Sequence, residues 1–242
     1  INYKNKLNMK TKILAIICLT FVLNSCSEDN DISLEPVAIT LNFSHSWNGT
    51  EITNADFNEL KFTNENEQDL SIERLKYVIS EVSLTHKSGV VTVLDEYNLV
   101  DLTNTEGLSF TTSKTILPGD YTSVTFRFGF SNEYNIDGAY PDLNTANFNV
   151  PNALGGGYHF MQFDGKYRDI TSVEAPFNYH VISAIDPTNT NDPLDTSFSL
   201  NIGAATIGGN TNIQIEMDVS EWFKNPTTWN LNEYDVNLMG NY

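Results

Sequence analysis

The chain has 242 residues, with 31 Asp and Glu against 13 Lys and Arg and a formal net charge of −18. So acidic a chain repels phosphate backbones and anionic lipid headgroups, whose binding depends on Lys and Arg, so nucleic acid is excluded as a partner and cations are favoured. The same acidity also serves plain solubility, which is the commoner use of a surface of this kind.

Residues 1–8 contain no Met, the first being Met9, and they read as upstream translated sequence. Residues 9–25 follow the pattern of a bacterial secretion signal, with Lys10 and Lys12 before the apolar run Ile13 to Leu23. That run is too short to span a bilayer permanently. Leu23-Asn24-Ser25-Cys26 resembles a lipobox, in which Cys26 is lipidated and becomes the first residue of the mature protein; an ordinary cleaved signal is the alternative. Ser27-Glu28-Asp29-Asn30-Asp31 resembles the acidic surface-export signal of Bacteroidetes lipoproteins. The expected location is therefore the outer membrane, surface-exposed, with membrane contact through the lipid alone. Cys18 leaves with the signal, so no disulfide is expected in the mature fold. Four of the 13 bases precede Cys26, which leaves 9 bases against 31 acids.

Residues 26–36 read as an acidic tether. Residues 37–242 read as one domain. Val37, Ile39, Leu41 and Phe43 alternate with polar or small residues, the pattern of a half-buried strand, and His45 falls in the same phase. Leu75, Tyr77 and Ile79 hold one phase and Val82 and Leu84 the other, which predicts a β-bulge near Ser80-Glu81; strand is preferred to helix here because β-formers dominate. Further strands are predicted at Val90 to Leu94, Tyr97 to Leu102, Leu108 to Thr112, Thr122 to Phe130, Tyr158 to Asp164, Phe177 to Ile182, Thr196 to Ile202 and around Ile213 to Met217, with a helical turn at Val219 to Phe223. Asp186 to Asp195, rich in Asp, Asn, Pro and Thr, is predicted as a loop. Short strands with turns between them and no long amphipathic helix make the fold all-β, an antiparallel β-sandwich with long loops.

The organising stretch is Tyr121 to Tyr167, where two strands bracket a loop much longer than usual, and long loops tend to carry function. Strict alternation puts Tyr158, Phe160 and Gln162 on one face and His159, Met161 and Phe163 on the other, so His159 and Met161 are expected to be neighbours. None of the common signatures of hydrolases, metalloproteases, phosphate loops or Cys-based zinc sites is present, so no enzyme is expected. Asp137 and Asp142 read as part of a solvated turn or a weak Ca²⁺ site. What remains is four histidines and the His159-x-Met161 pair, since imidazole suits copper and zinc and a thioether suits Cu(I). Ordinary packing competes with that reading.

Six segments in order, FSHSWNG (43–49), LKYVISEVSL (75–84), YNLVDL (97–102), LPGDYTSVTFRFGF (117–130), GGGYHFMQFDGKY (155–167) and FNYH (177–180), resemble the MbnP-like copper-binding proteins. The resemblance implies a β-sandwich lipoprotein that binds copper through histidines, for capture or buffering, without haem of its own. It implies His45, His159 and His180 as ligands that converge in the fold, with Met161 a further candidate, and leaves His86 as a solvated loop residue. It implies as partners the metal ion and a di-haem peroxidase-like or TonB-dependent transport protein. One departure stands out. Relatives carry a Met-x-Trp-x-Trp pattern in the loop before the Gly-Tyr motif, where this chain has Asn147-Phe148-Asn149, which speaks against a kynurenine ligand.

A non-catalytic surface module for a glycan, peptide or protein is the alternative, and it predicts a solvent-facing patch of Tyr134, Tyr140 and Phe148. Val236 to Met239 reads as a strand in progress, so the domain is expected to be truncated at its C-terminal end.

Overall fold

The computed structural model describes residues 34–94, 97–186, 189–209 and 211–236. The signal segment, Cys26 and most of the tether lie outside them, as does the expected strand at Val236 to Met239 apart from Val236. Everything below concerns the unit Glu35–Tyr242.

The strands are β1 (Ile39–Trp47), β2 (Thr50–Ile52), β3 (Phe62–Thr63), β4 (Asp69–Leu70), β5 (Arg74–His86), β6 (Val91–Val93), β7 (Asn98–Asp101), β8 (Ser109–Thr111), β9 (Gly119–Phe128), β10 (Met161–Arg168), β11 (Glu174–Val181), β12 (Ala184–Asp186), β13 (Asn189–Leu194), β14 (Phe198–Ile207) and β15 (Thr211–Asp218). One short helix, α1 (Pro141–Thr145), interrupts the long loop, and a 3₁₀ turn spans Val219–Phe223. Nine strands form the large sheet, in which the long strand β5 is flanked by β10 and β9 in succession along one side and by β7 and β6 along the other; β1, β2, β8 and β15 form the second. The fold is all-β and one domain.

Alternation decides which side chains go inside. In β1, Ile39, Leu41, Phe43 and His45 are buried, and Phe43 meets Tyr77 of β5 edge-on across the gap between the sheets. In β5 the pairing with β9 shifts between Ser80 and Ser83, and Glu81 takes a positive φ of 51°. This is the bulge that the change of phase predicts, and it keeps Tyr77, Ile79, Val82 and Leu84 all buried.

Two features depart from the sequence reading. β1 and β15 pair in parallel, Ile39 opposite Thr211 through Ser46 opposite Asp218, although the other pairings are antiparallel. The predicted loop at Asp186 to Asp195 instead holds the β12–β13 hairpin. Its composition is poor in β-formers, and a hairpin needs only local pairing to form.

The loop between β9 and β10 folds back over the outer face of the large sheet. Gly155, Gly156 and Gly157 all take positive φ, and a Cβ on Gly157 would lie 2.6 Å from Asn135 Oδ1. That close approach is used: the Tyr158 amide donates to Asn135 Oδ1 at 2.8 Å. Tyr140 stacks on Phe130 with centroids 4.8 Å apart and a 9° interplanar angle, and Phe148 is fully buried. Of the expected solvent-facing patch, only Tyr134 is exposed. The loop turns Phe148, Leu143 and Val150 inward, and this apolar surface is what covers the sheet.

Candidate metal centre

Cross-strand register builds the site. Across β11, β10, β5 and β7 the residues His180, Gln162, Lys76 and Asp101 stand directly opposite one another, and Asn178, Asp164 and Arg74 form the next row. Partners opposite each other share a face, and these two rows are two residues apart, so all seven side chains lie on one face of the large sheet. The intervening residues Met161, Phe163, Tyr77 and Leu75 face the other way, into the sandwich.

His180 is the anchor of the upper row. Its Nε2 donates to Asp164 Oδ1 at 2.7 Å, and Asn178 Nδ2 donates to the same oxygen at 2.6 Å. Arg74 pairs with Oδ2. Burial pushes the Asp164 carboxyl up, but the hydrogen bonds of His180 and Asn178 and the charge of Arg74 outweigh it and hold the group below the usual carboxylate range. Asp164 is therefore an ionised acceptor that fixes which nitrogen of His180 carries the proton. The other nitrogen, Nδ1, is buried and has no hydrogen-bond partner among the described residues.

His159 reaches the same place from the end of the loop. Its ring lies 5.1 Å from that of His180, at 89°. Its Nδ1 donates to the Phe148 carbonyl at 2.9 Å and lies 3.3 Å from Gln162 Nε2. The sequence reading put His159 beside Met161, and this is corrected. The backbone bends at Phe160 before β10 begins at Met161, and His159 pairs through its own N–H with the Phe148 carbonyl. The bend breaks the alternation, so His159 joins the face of Gln162 and Met161 stays in the core. Burial lowers the His159 pKa to about 4, and the Phe148 hydrogen bond and the nearby Asp164 carboxylate oppose it only in part.

His45 does not join them. It is buried on the inward face of β1, where its Nε2 lies 3.1 Å from the Tyr77 hydroxyl. Burial lowers its pKa to about 4 and raises that of Tyr77, so the phenol keeps its proton and donates it to a neutral imidazole. Tyr77 faces away from Gln162, so the large sheet itself separates His45 from the His159–His180 pair. His86 lies at the end of β5, half-buried against Tyr121, with Nδ1 2.8 Å from the Ser88 hydroxyl, rather than out in solvent.

The structure thus brings together two of the expected histidines and leaves out His45 and Met161. Among the described residues no three His, Cys, Asp or Glu side chains converge on one metal point. The residues present do fit a transition-metal ion in one respect: His180 offers a buried, unpartnered imidazole nitrogen whose ring is oriented by a carboxylate, the usual support of a metal-bound histidine. His180 also lines a cavity of about 490 Å³ with Trp229, Tyr234 and Thr196. Asp164, Gln162, Asn178 and Arg74 escaped the sequence reading. The signal was there in QFD and FNYH, whose alternate residues are polar within strands that otherwise pack as core.

A family model described as MbnP matches residues 36–239. Among solved structures the chain is similar to MbnP from Methylosinus trichosporium, with 12% identity and a TM-score of 0.49, over 69% of this chain and 72% of that one. No curated protein matches the chain.

Proposed function

The chain belongs to the MbnP family, and on that premise we propose that it is a non-catalytic lipoprotein that captures or buffers copper at the cell surface, with His159 and His180 as its metal-binding pair. The observation that carries this reading is the meeting of the two rings 5.1 Å apart with His180 Nδ1 buried and unpartnered. A buried acceptor without a partner costs roughly 1–3 kcal/mol, a penalty that a bound cation would remove.

The chemistry of the residues supports the same reading. His159 Nδ1 is tied to a carbonyl and His180 Nε2 to a carboxylate, contacts that orient the two rings. Imidazole nitrogens suit copper, and the ion would be bound and released without a chemical step. Phe148 stands 5.7 Å from the His159 ring, in the segment where the sequence resemblance places a Trp in relatives. Trp47 packs against Phe62 and Phe223, and Trp222 and Trp229 against Tyr179, so the three Trp residues are accounted for as packing. The reading is therefore a plain histidine site, with delivery to a transport partner at the outer membrane as its use.

The test is a Cu(I) and Cu(II) competition titration of the full chain beside His159→Ala, His180→Ala and His45→Ala. Loss of tight one-to-one binding in the first two and its retention in His45→Ala supports the reading. Equal binding in all four rejects it.

A further inference from the structure

Gln162 is 4% exposed and sits directly opposite His180 in the β10–β11 ladder. Its Nε2 lies 3.2 Å from the Asn147 carbonyl, which can only accept, so the orientation of the amide is fixed: the nitrogen points to the loop and the oxygen away from it. That oxygen, Oε1, is buried and has no hydrogen-bond partner among the described residues. His180 Nδ1 is in the same condition on the facing residue. Two acceptors on adjacent, directly paired side chains are thus both left without donors. Satisfied buried polar groups are the rule, and two unsatisfied acceptors side by side call for a group that both can bind.

Lys76 does not meet that need. It stands opposite Gln162 on the other side, but its ammonium is taken by Asp101 at 3.0 Å. Arg74 is likewise engaged by Asp164. The two basic side chains nearest Gln162 and His180 in the ladder are thus turned to carboxylates.

We infer that Gln162 Oε1 is a third donor of this centre, giving two imidazole nitrogens and one amide oxygen that take a divalent ion of borderline softness, Cu(II) or Zn(II), in preference to Cu(I). The inference rests on the histidine reading above and deepens it. Cu(I) is satisfied by two soft or borderline donors and gains little from an amide oxygen, whereas a divalent ion gains from a harder oxygen ligand. Gln162 is held for the purpose, since the Asn147 carbonyl clamps its amide and thereby couples the covering loop to the site.

The experiment is a Co(II) and Zn(II) titration of the full chain, followed by the visible d–d bands of Co(II), with Gln162→Leu, Gln162→Glu, His159→Ala and His180→Ala, and a parallel Cu(I) competition. Gln162→Leu is expected to lose at least about tenfold in divalent affinity and to shift the Co(II) bands, while Cu(I) affinity changes less than about threefold. Gln162→Glu, which returns an oxygen to the same place, is expected to restore or exceed the divalent affinity. Circular dichroism and a thermal melt show that each variant folds, and Gln162→Glu answers the question if Gln162→Leu does not. Unchanged divalent affinity in Gln162→Leu, with loss in the histidine variants, overturns this inference and leaves the histidine reading standing. Unchanged binding in all variants, or none in the unaltered chain, overturns both.

Discussion

His180 and Asp164 stand 2.7 Å apart, Nε2 to Oδ1, on neighbouring strands of one sheet face. The contact joins two kinds of order. Asp164 is held by Asn178 and Arg74 as well, so the carboxylate is rigid before it orients the imidazole. A ring fixed in this way loses little freedom when its other nitrogen takes an ion.

Asp164→Asn should therefore separate orientation from charge. The amide can still accept from His180, but the charge that holds Arg74 and favours the Nε2–H tautomer is gone. Metal affinity is expected to fall about 10- to 100-fold, with the fold intact, as read by competition titration and circular dichroism. Equal affinity in the variant would mean that the carboxylate serves packing alone.

Stability should depend on pH through the buried histidines. His45 and His159 are both lowered to about 4 by burial, against 6.5 in the open chain. The unfolded chain therefore binds their protons first as the pH falls, and the stability present above pH 6.5 is lost between 6.5 and 4. Each group contributes on the order of 3 kcal/mol to that loss. Asp164, lowered in the folded state, adds a loss in the same direction only below the ordinary carboxylate range. The urea midpoint measured from pH 7 to 4 is expected to slope downwards with acid, and His45→Gln, which can still meet the Tyr77 hydroxyl, to flatten the slope. A parallel slope in that variant contradicts the assignment to His45.

The alternation of apolar and polar residues made much of this legible. It placed β1 and the phase of His45, and the change of phase in β5 located the bulge at Glu81. It failed at Phe160, because a single bend reverses every face that follows and leaves no compositional trace. The partners of His180 were unreadable for another reason. Asp164 and Gln162 meet it only through the register of β10 with β11, and register is a property of pairing rather than of either strand. The parallel pairing of β1 with β15 joins residues about 170 positions apart, beyond the reach of any local pattern.

Met161→Leu tests the corrected geometry. Met161 is fully buried on the inward face, opposite Tyr77, away from His159 and His180. A swap of similar volume costs less than about 1.5 kcal/mol. Copper affinity is expected to stay within about twofold of the unaltered chain, since a thioether on the far side of the sheet supplies no ligand. A large loss of Cu(I) binding would return Met161 to the site.

Lys76 and Asp101 form a largely buried pair at 3.0 Å, beneath the long loop. Asp101 also accepts from the backbone and side chain of Asn104, at 3.0 and 2.8 Å. Asp101→Ala strands the ammonium of Lys76 and is expected to cost about 3–5 kcal/mol in denaturant unfolding. The double variant with Lys76→Met should recover much of that loss, because no charge is then left unpaired. If the single variant matches the double one, the pair contributes nothing beyond its shape.

Gly165 is the backbone position on which the site depends most directly. A Cβ there would lie 2.0 Å from the Ser71 carbonyl oxygen and 2.7 Å from the Phe177 ring. The first of these is backbone, held in place because the Ser71 amide donates to the Lys166 carbonyl at 2.7 Å. The chain before β5 and strand β10 cannot both stay where they are once a methyl group intervenes. Gly165 follows Asp164 immediately, so a shift there moves the carboxylate off His180. Gly165→Ala is expected to cost about 3 kcal/mol or more and to weaken metal binding as well. Gly138→Ala is the control, with a positive φ of 74° but nothing within 4 Å of the added Cβ. It should cost only the strain of that conformation, about 1–2 kcal/mol, and leave binding unchanged. Denaturant midpoints and copper titrations of the two variants decide the matter: a loss at Gly165 no larger than at Gly138 would mean that Ser71 and Phe177 yield to the added methyl group and that their close approach does not require glycine at 165.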